Sequence, residues 1–123
     1  MKSITANNAP LAIGPYSHGY ETESGIVFTS GQLGLDPVLG TLGEGIEAQA
    51  ELSCKNVKAV LEAAGTRMDK VIKTTCYLAN MSDFGVFNEI YGKYFTSKPA
   101  RSCVAVKELP KGALCEIEAI AEK

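Results

Sequence analysis

The sequence is poor in the residues most used for proton transfer and metal binding. Among 123 residues there is one histidine, His18, which excludes a two-histidine acid–base pair. The four cysteines, Cys54, Cys76, Cys103 and Cys115, lie far apart and form no C-x-x-C pair. A zinc site needs clustered thiolates and imidazoles, so no metal is expected. The cysteines read instead as small apolar residues with free thiols in a reducing compartment. No run of about 18 apolar residues is present, so no membrane partner is expected. The opening segment Met1–Asn8 is too polar for the core of a secretory signal, and a cytosolic location is expected. Charge of neither sign dominates: 12 Lys and Arg stand against 14 Asp and Glu, and the net charge of -2 implies no polyanion partner. Repeats, low-complexity tracts and linkers are missing too, so residues 1–123 are expected to form a single domain. His18 itself follows Tyr16-Ser17 in a polar segment and reads as a surface or interface residue.

What is present is an alternation of segments with different periods. Ser17–Glu21 and Ile26–Thr29 read as two strands around a turn at Glu23-Ser24-Gly25. The glycine-rich stretch Gly31–Gly45 reads as a loop with short extended pieces. From Ile46 onward, Ile46, Ala50, Ser53, Val57, Val60, Leu61 and Ala64 share one helical face, and Gly65 stops the helix. Val71–Leu78 predicts a strand with Ile72, Thr74, Cys76 and Leu78 on one face and Lys73, Thr75 and Tyr77 on the other. Ser82 is placed to cap a second helix whose apolar stripe is Phe84, Phe87, Ile90, Tyr91, Tyr94 and Phe95. Strands at Ser102–Val106 and Leu114–Ala121, joined by Leu109-Pro110-Lys111-Gly112, finish the chain. The order β-β-α-β-α-β-β, with room for one more strand at the start, predicts an α+β fold: a mixed sheet with two helices on one face. The opposite, half-polar face is left either to solvent or to other subunits of a closed assembly.

Two charges stand out against the apolar strands that carry them. Arg101 opens one strand, and Glu116 sits inside the next. A guanidinium fork binds a carboxylate through two parallel hydrogen bonds. A nearby carboxyl can hold water and relay protons. Together they suit a small carboxylic acid held at one end and attacked by water at the other. A structural ion pair between them, or two solvated charges, fits the same pattern, and the residues alone leave these readings open.

The motifs Ala12-Ile13-Gly14-Pro15-Tyr16, Thr29-Ser30-Gly31-Gln32, Asn56–Gly65, Val71–Thr75 and Phe84–Tyr91 occur in order along the chain. They are completed by Pro99-Ala100-Arg101-Ser102-Cys103-Val104 and Glu116–Ala121. This ordered set resembles the RidA family, also called the YjgF or L-PSP endoribonuclease-like family. The resemblance implies a chorismate-mutase-like α+β fold and a homotrimer whose sheets form a central barrel with the helices outside. It implies sites between neighbouring subunits and hydrolysis of reactive 2-imino or enamine acids, such as 2-aminoacrylate, to 2-keto acids and ammonia. That activity protects pyridoxal-phosphate enzymes and uses no cofactor. By the same resemblance Arg101 and Glu116 are the catalytic pair, the first anchoring the substrate carboxylate and the second orienting water. Tyr16 closes the pocket, Ser30 and the Gly31 backbone line it, and Asn88 lies close by. Cys103, two residues beyond Arg101 in an extended strand, shares its face. Nothing near Cys103 in sequence lowers a thiol pKa, so it reads as a pocket-lining thiol rather than a nucleophile.

One departure accompanies the resemblance. Many members carry a longer segment before the Pro-Ala-Arg motif, often ending in an aromatic residue. Here Phe95-Thr96-Ser97-Lys98-Pro99 is short, and Lys98 precedes the proline. Two rival functions remain at this level. The basic residues Lys93, Lys98, Arg101, Lys107 and Lys111, opposed within that span only by Glu108, suit a ribonuclease or translation inhibitor, against which stand the acidic balance and the single histidine. A metabolite-binding or chaperone-like trimer without catalysis is the other.

Overall fold

The computed structural model describes residues 1–123. Seven strands and two helices run in the order β1 (Lys2–Ile4), β2 (Gly19–Glu21), β3 (Ile26–Thr29), β4 (Gln32–Leu33), α1 (Gly45–Ala63), β5 (Val71–Leu78), α2 (Phe84–Tyr94), β6 (Ala100–Ala105) and β7 (Cys115–Glu122). They form one sheet in the order β1-β2-β3-β7-β5-β6, with β4 also pairing to β7. β5 and β6 are parallel, as the crossover through α2 requires, and the other pairs are antiparallel. The expected α+β fold, a mixed sheet with two helices packed on one face, is therefore present.

The helices form where the apolar period demands it. Ala50, Ser53, Cys54, Val57, Val60 and Leu61 of α1 are buried against β7 and α2. The helix ends at Gly65, whose φ of 84° is open to glycine at little cost. Gly65 N–H donates to Glu62 O at 3.0 Å and Thr66 N–H to Leu61 O at 3.0 Å, satisfying carbonyls that the helix end would otherwise strand. On α2, Phe87, Ile90 and Tyr91 are buried, and Tyr91 stacks on Phe95 at 4.3 Å between ring centroids. Tyr91 OH and Thr74 Oγ1, 2.7 Å apart, tie α2 to β5 inside the core.

Three local expectations are corrected. Ile72 does not face the helices: a bulge between Val71 and Lys73 shifts the register against β7, Val71 takes the buried place, and Ile72 is turned outward. Ser82 does not cap α2; it lies in a 3-10 turn over Met81–Asp83 that leads directly into the helix, and no side chain bonds the first turn. His18 is not at the surface. It is buried, with Nδ1 accepting from Ala6 N–H at 2.9 Å and Nε2 donating to Pro10 O at 2.8 Å. The imidazole thereby ties the amino-terminal segment to β2 through backbone groups.

No helix covers the other sheet face. Tyr20, Phe28 and Val104 are exposed there, beside half-buried Thr75, Tyr77, Glu116, Glu118 and Ile120. No helix of the chain is long and apolar enough to cross a membrane.

Candidate active site

Arg101 lies on the edge strand β6 opposite Thr74, so its side chain leaves the sheet on the helix side. There it meets α2. Arg101 Nη1 donates to Asn88 Oδ1 at 2.8 Å. Its guanidinium carbon sits 4.7 Å from the Tyr91 ring centroid and 5.5 Å from that of Phe84. Phe84, Asn88 and Tyr91 are spaced four and three apart, which places them on one stripe of α2. Arg101 has no carboxylate partner, since the three ion pairs of the chain are Met1–Glu23, Arg67–Asp69 and Lys123–Glu21. Of its five N–H donors, four are left for another ligand. The cleft in front of it, about 430 Å³, is walled by Asn88, Tyr91, Lys98 and Pro99.

Glu116 lies on β7 opposite Tyr77 and points to the uncovered face. Its carboxyl rests on Gly31: a Cβ there would sit 2.7 Å from Glu116 Cδ and 2.9 Å from Oε2, so a side chain would push the carboxyl away. Burial, and secondarily the neighbouring charge of Glu118, holds the Glu116 carboxyl above the usual carboxylate range. A second cleft, about 540 Å³, opens over it, lined by Ile13, Tyr16, Ser30, Gly31 and Lys111. Ser30 is held rigidly, its Oγ donating to Ser17 O at 2.6 Å and its N–H to His18 O at 2.9 Å. Tyr16 stands half exposed at the mouth, and its hydroxyl accepts from Ile13 N–H at 3.3 Å.

The expected site residues thus fall into two groups within one chain. Arg101 and Asn88 share one cleft; Tyr16, Ser30, Gly31 and Glu116 share the other. β5 lies between β6 and β7, so Arg101 and Glu116 are not on adjacent strands, and their side chains point to opposite sheet faces. An internal ion pair between them is ruled out. Cys103 is opposite Cys76 on the Arg101 face and lines neither cleft. Burial raises the Cys103 thiol pKa, with Arg101 opposing. The largest cleft, about 680 Å³ against α1, holds none of these residues. No three His, Cys, Asp or Glu side chains are grouped to hold a metal ion. Tyr91, Lys98 and Lys111 complete the two clefts. The sequence pattern places Tyr91 only in the apolar stripe of the second helix, and its spacing of three from Asn88 is the signal that could have found it.

These two clefts can be set beside known proteins. The family described as Endoribonuclease L-PSP matches residues 6–123. The chain belongs to that family. Among its L-PSP relatives, the 2-iminobutanoate/2-iminopropanoate deaminase of Salmonella typhimurium is 47% identical over 124 residues, covering 98% of this chain and 96% of the relative. A RutC family protein of Pyrococcus horikoshii is 48% identical over 122 residues, with the same coverage of 98% and 96%. In structure, the L-PSP chain is similar to Escherichia coli TdcF with bound serine. The TM-score is 0.95 at 42% identity, covering 100% of this chain and 99% of that one.

Proposed function

We propose that the protein hydrolyses 2-imino and enamine acids to 2-keto acids and ammonia, in clefts shared between subunits of a homotrimer. The observation that carries this reading is Arg101: a half-buried guanidinium, braced by Asn88 and two aromatic rings, with no acidic partner of its own. Such a group is ready for a substrate carboxylate. The uncovered sheet face, with Tyr20, Phe28 and Val104 exposed, supports assembly on that side. Assembly would set the Arg101 cleft of one protomer against the Glu116 cleft of the next. The naming of close relatives as 2-iminobutanoate/2-iminopropanoate deaminases supports the reaction.

In this reading Arg101 grips the carboxylate in a bidentate pair and fixes the adjacent C=N carbon. Glu116 accepts a proton from water as its oxygen bonds to that carbon, and the C=N pair of electrons moves to nitrogen. Glu116 returns this proton to the nitrogen. The carbinolamine hydroxyl then passes its proton through Glu116 to the departing nitrogen as the C–N bond breaks, so that ammonia leaves and the keto group remains. A carboxyl held above its usual pKa suits this proton traffic. Because imines hydrolyse readily in water, orientation does most of the work. The protein's role is to clear such intermediates before they damage pyridoxal-phosphate enzymes.

The test is to generate 2-aminoacrylate in situ with a serine dehydratase and to follow pyruvate formation. The wild type accelerates it, and Arg101→Ala abolishes the acceleration while keeping its oligomeric state. No acceleration over the spontaneous rate, with 2-aminoacrylate and with a bulkier imino acid, overturns the proposal.

A further inference from the structure

Only two residues other than glycine adopt a left-handed backbone, and both are lysines: Lys98, with φ 52°, and Lys111, with φ 60°. This conformation costs a lysine about 1 kcal/mol, and glycine or asparagine takes it more easily. Backbone strain of this sort clusters at functional sites. Each lysine lines one of the two clefts: Lys98 stands beside Arg101, and Lys111 beside Glu116. Both turns are pinned by backbone bonds, Lys98 N–H to Phe95 O at 3.2 Å and Gly112 N–H to Leu109 O at 3.1 Å. Neither lysine has a carboxylate partner.

The charges lining the two clefts are Lys98, Arg101, Lys111 and Glu116. Three cations against one carboxylate leave two positive charges unbalanced. A 2-imino acid with a neutral side chain brings a single carboxylate, which Arg101 takes, and one positive charge stays unbalanced. A second carboxylate on the side chain removes the imbalance.

We infer that the shared cleft takes 2-imino dicarboxylic acids, Arg101 holding the carboxylate beside the C=N carbon and Lys98 with Lys111 the distal one. This rests on the reading of the two clefts as halves of one imine-hydrolysing site. The reaction is unchanged: water supplies the oxygen of the new C=O, the C–N bond breaks, ammonia departs, and no oxidant or reductant is consumed. The lysines act as specificity-determining residues that select the side chain.

The experiment compares two imines generated in situ: a dicarboxylic one, from L-glutamate with L-glutamate oxidase, and a monocarboxylic one, from L-norvaline with an L-amino-acid oxidase, each with catalase. Interception by semicarbazide reports how fast each disappears. The wild type favours the dicarboxylic imine in kcat/KM. Lys98→Asn and Lys111→Asn, which keep a residue suited to the left-handed backbone, each lower the ratio of dicarboxylic to monocarboxylic kcat/KM by about fivefold, the upper range for one exposed ion pair. Lys98→Arg keeps the ratio. Hydrolysis of the monocarboxylic imine with no preference for the dicarboxylic one, or a ratio unmoved by both asparagine variants, overturns this inference and leaves the imine hydrolase standing. Hydrolysis of neither imine, with 2-aminoacrylate still hydrolysed, overturns this inference alone, and failure with 2-aminoacrylate as well overturns both.

Discussion

Asn88 Oδ1 accepts from Arg101 Nη1 at 2.8 Å, joining the second helix to the edge strand of the sheet at the mouth of an open cleft. The amide is neutral, so it orients the guanidinium without cancelling its charge. A carboxylate in that place would have occupied the fork.

Asn88→Ala therefore leaves Arg101 charged and free to swing. One hydrogen bond to a charged group contributes about 1.5–3 kcal/mol, and part of this is recovered from water. The expected result is a rise in KM for a 2-imino acid of roughly tenfold, with unchanged melting temperature. Steady-state kinetics beside thermal melting checks both halves of the prediction.

Gly31→Ala places a methyl group 2.7 Å from Glu116 Cδ, which a real Cβ essentially never tolerates. The carboxyl is the free end of a side chain, so it moves and the backbone stays. Activity should drop by about a hundredfold, the scale of an ångström-sized misplacement. The melting temperature should hardly change. Loss of fold together with activity would contradict this account of the glycine.

The Glu116 carboxyl has a raised pKa, with burial the first cause and Glu118 the second. The folded protein therefore holds this proton more tightly than the unfolded chain does. Stability linked to Glu116 is full below the ordinary value of 4.5 and is lost as pH rises through the folded value. Glu116→Gln should raise the melting temperature at pH 7, and the gain should vanish below about pH 4. The acid limb of kcat/KM should lie above the usual carboxylate range and move down in Glu118→Gln.

Thr74→Val keeps the shape of a fully buried side chain but removes the partner of Tyr91 OH, 2.7 Å away. The stranded hydroxyl should cost about 1–3 kcal/mol, readable in a denaturant melt. Burial already pushes the Tyr91 phenol up to about 12, so it stays protonated across the working range of pH.

Much of this architecture is legible in the sequence because it rests on periodic patterns. The α1 stripe around Val57 and Leu61, the stop at Gly65 and the alternation Cys115-Glu116-Ile117-Glu118 each point to one local structure. Ile72 escapes that logic, because one extra residue in the ladder reverses the faces behind it. His18 escapes it too: its partners are the backbone of Ala6 and Pro10, which no side-chain pattern marks. The largest gap concerns Arg101 and Glu116. Their strands follow one another along the chain, yet β5, which precedes both in sequence, lies between them in the sheet. Strand order and register are properties of tertiary packing: Arg101 pairs with Thr74 and Glu116 with Tyr77, so two residues of one expected site end up on opposite faces. The presence of Arg101 and Glu116 is legible in the motifs, but their separation is visible only in the fold.

That separation offers the most direct test of a site shared between subunits. Arg101→Ala and Glu116→Gln chains, each carrying a different tag, are produced together, and mixed trimers are isolated through both tags and verified by native mass spectrometry. Each variant alone should be inactive towards 2-aminoacrylate. The mixed trimers should regain roughly a quarter or more of wild-type activity, because some clefts pair an intact Arg101 with an intact Glu116. Mixed trimers as inactive as their parents would contradict the shared cleft.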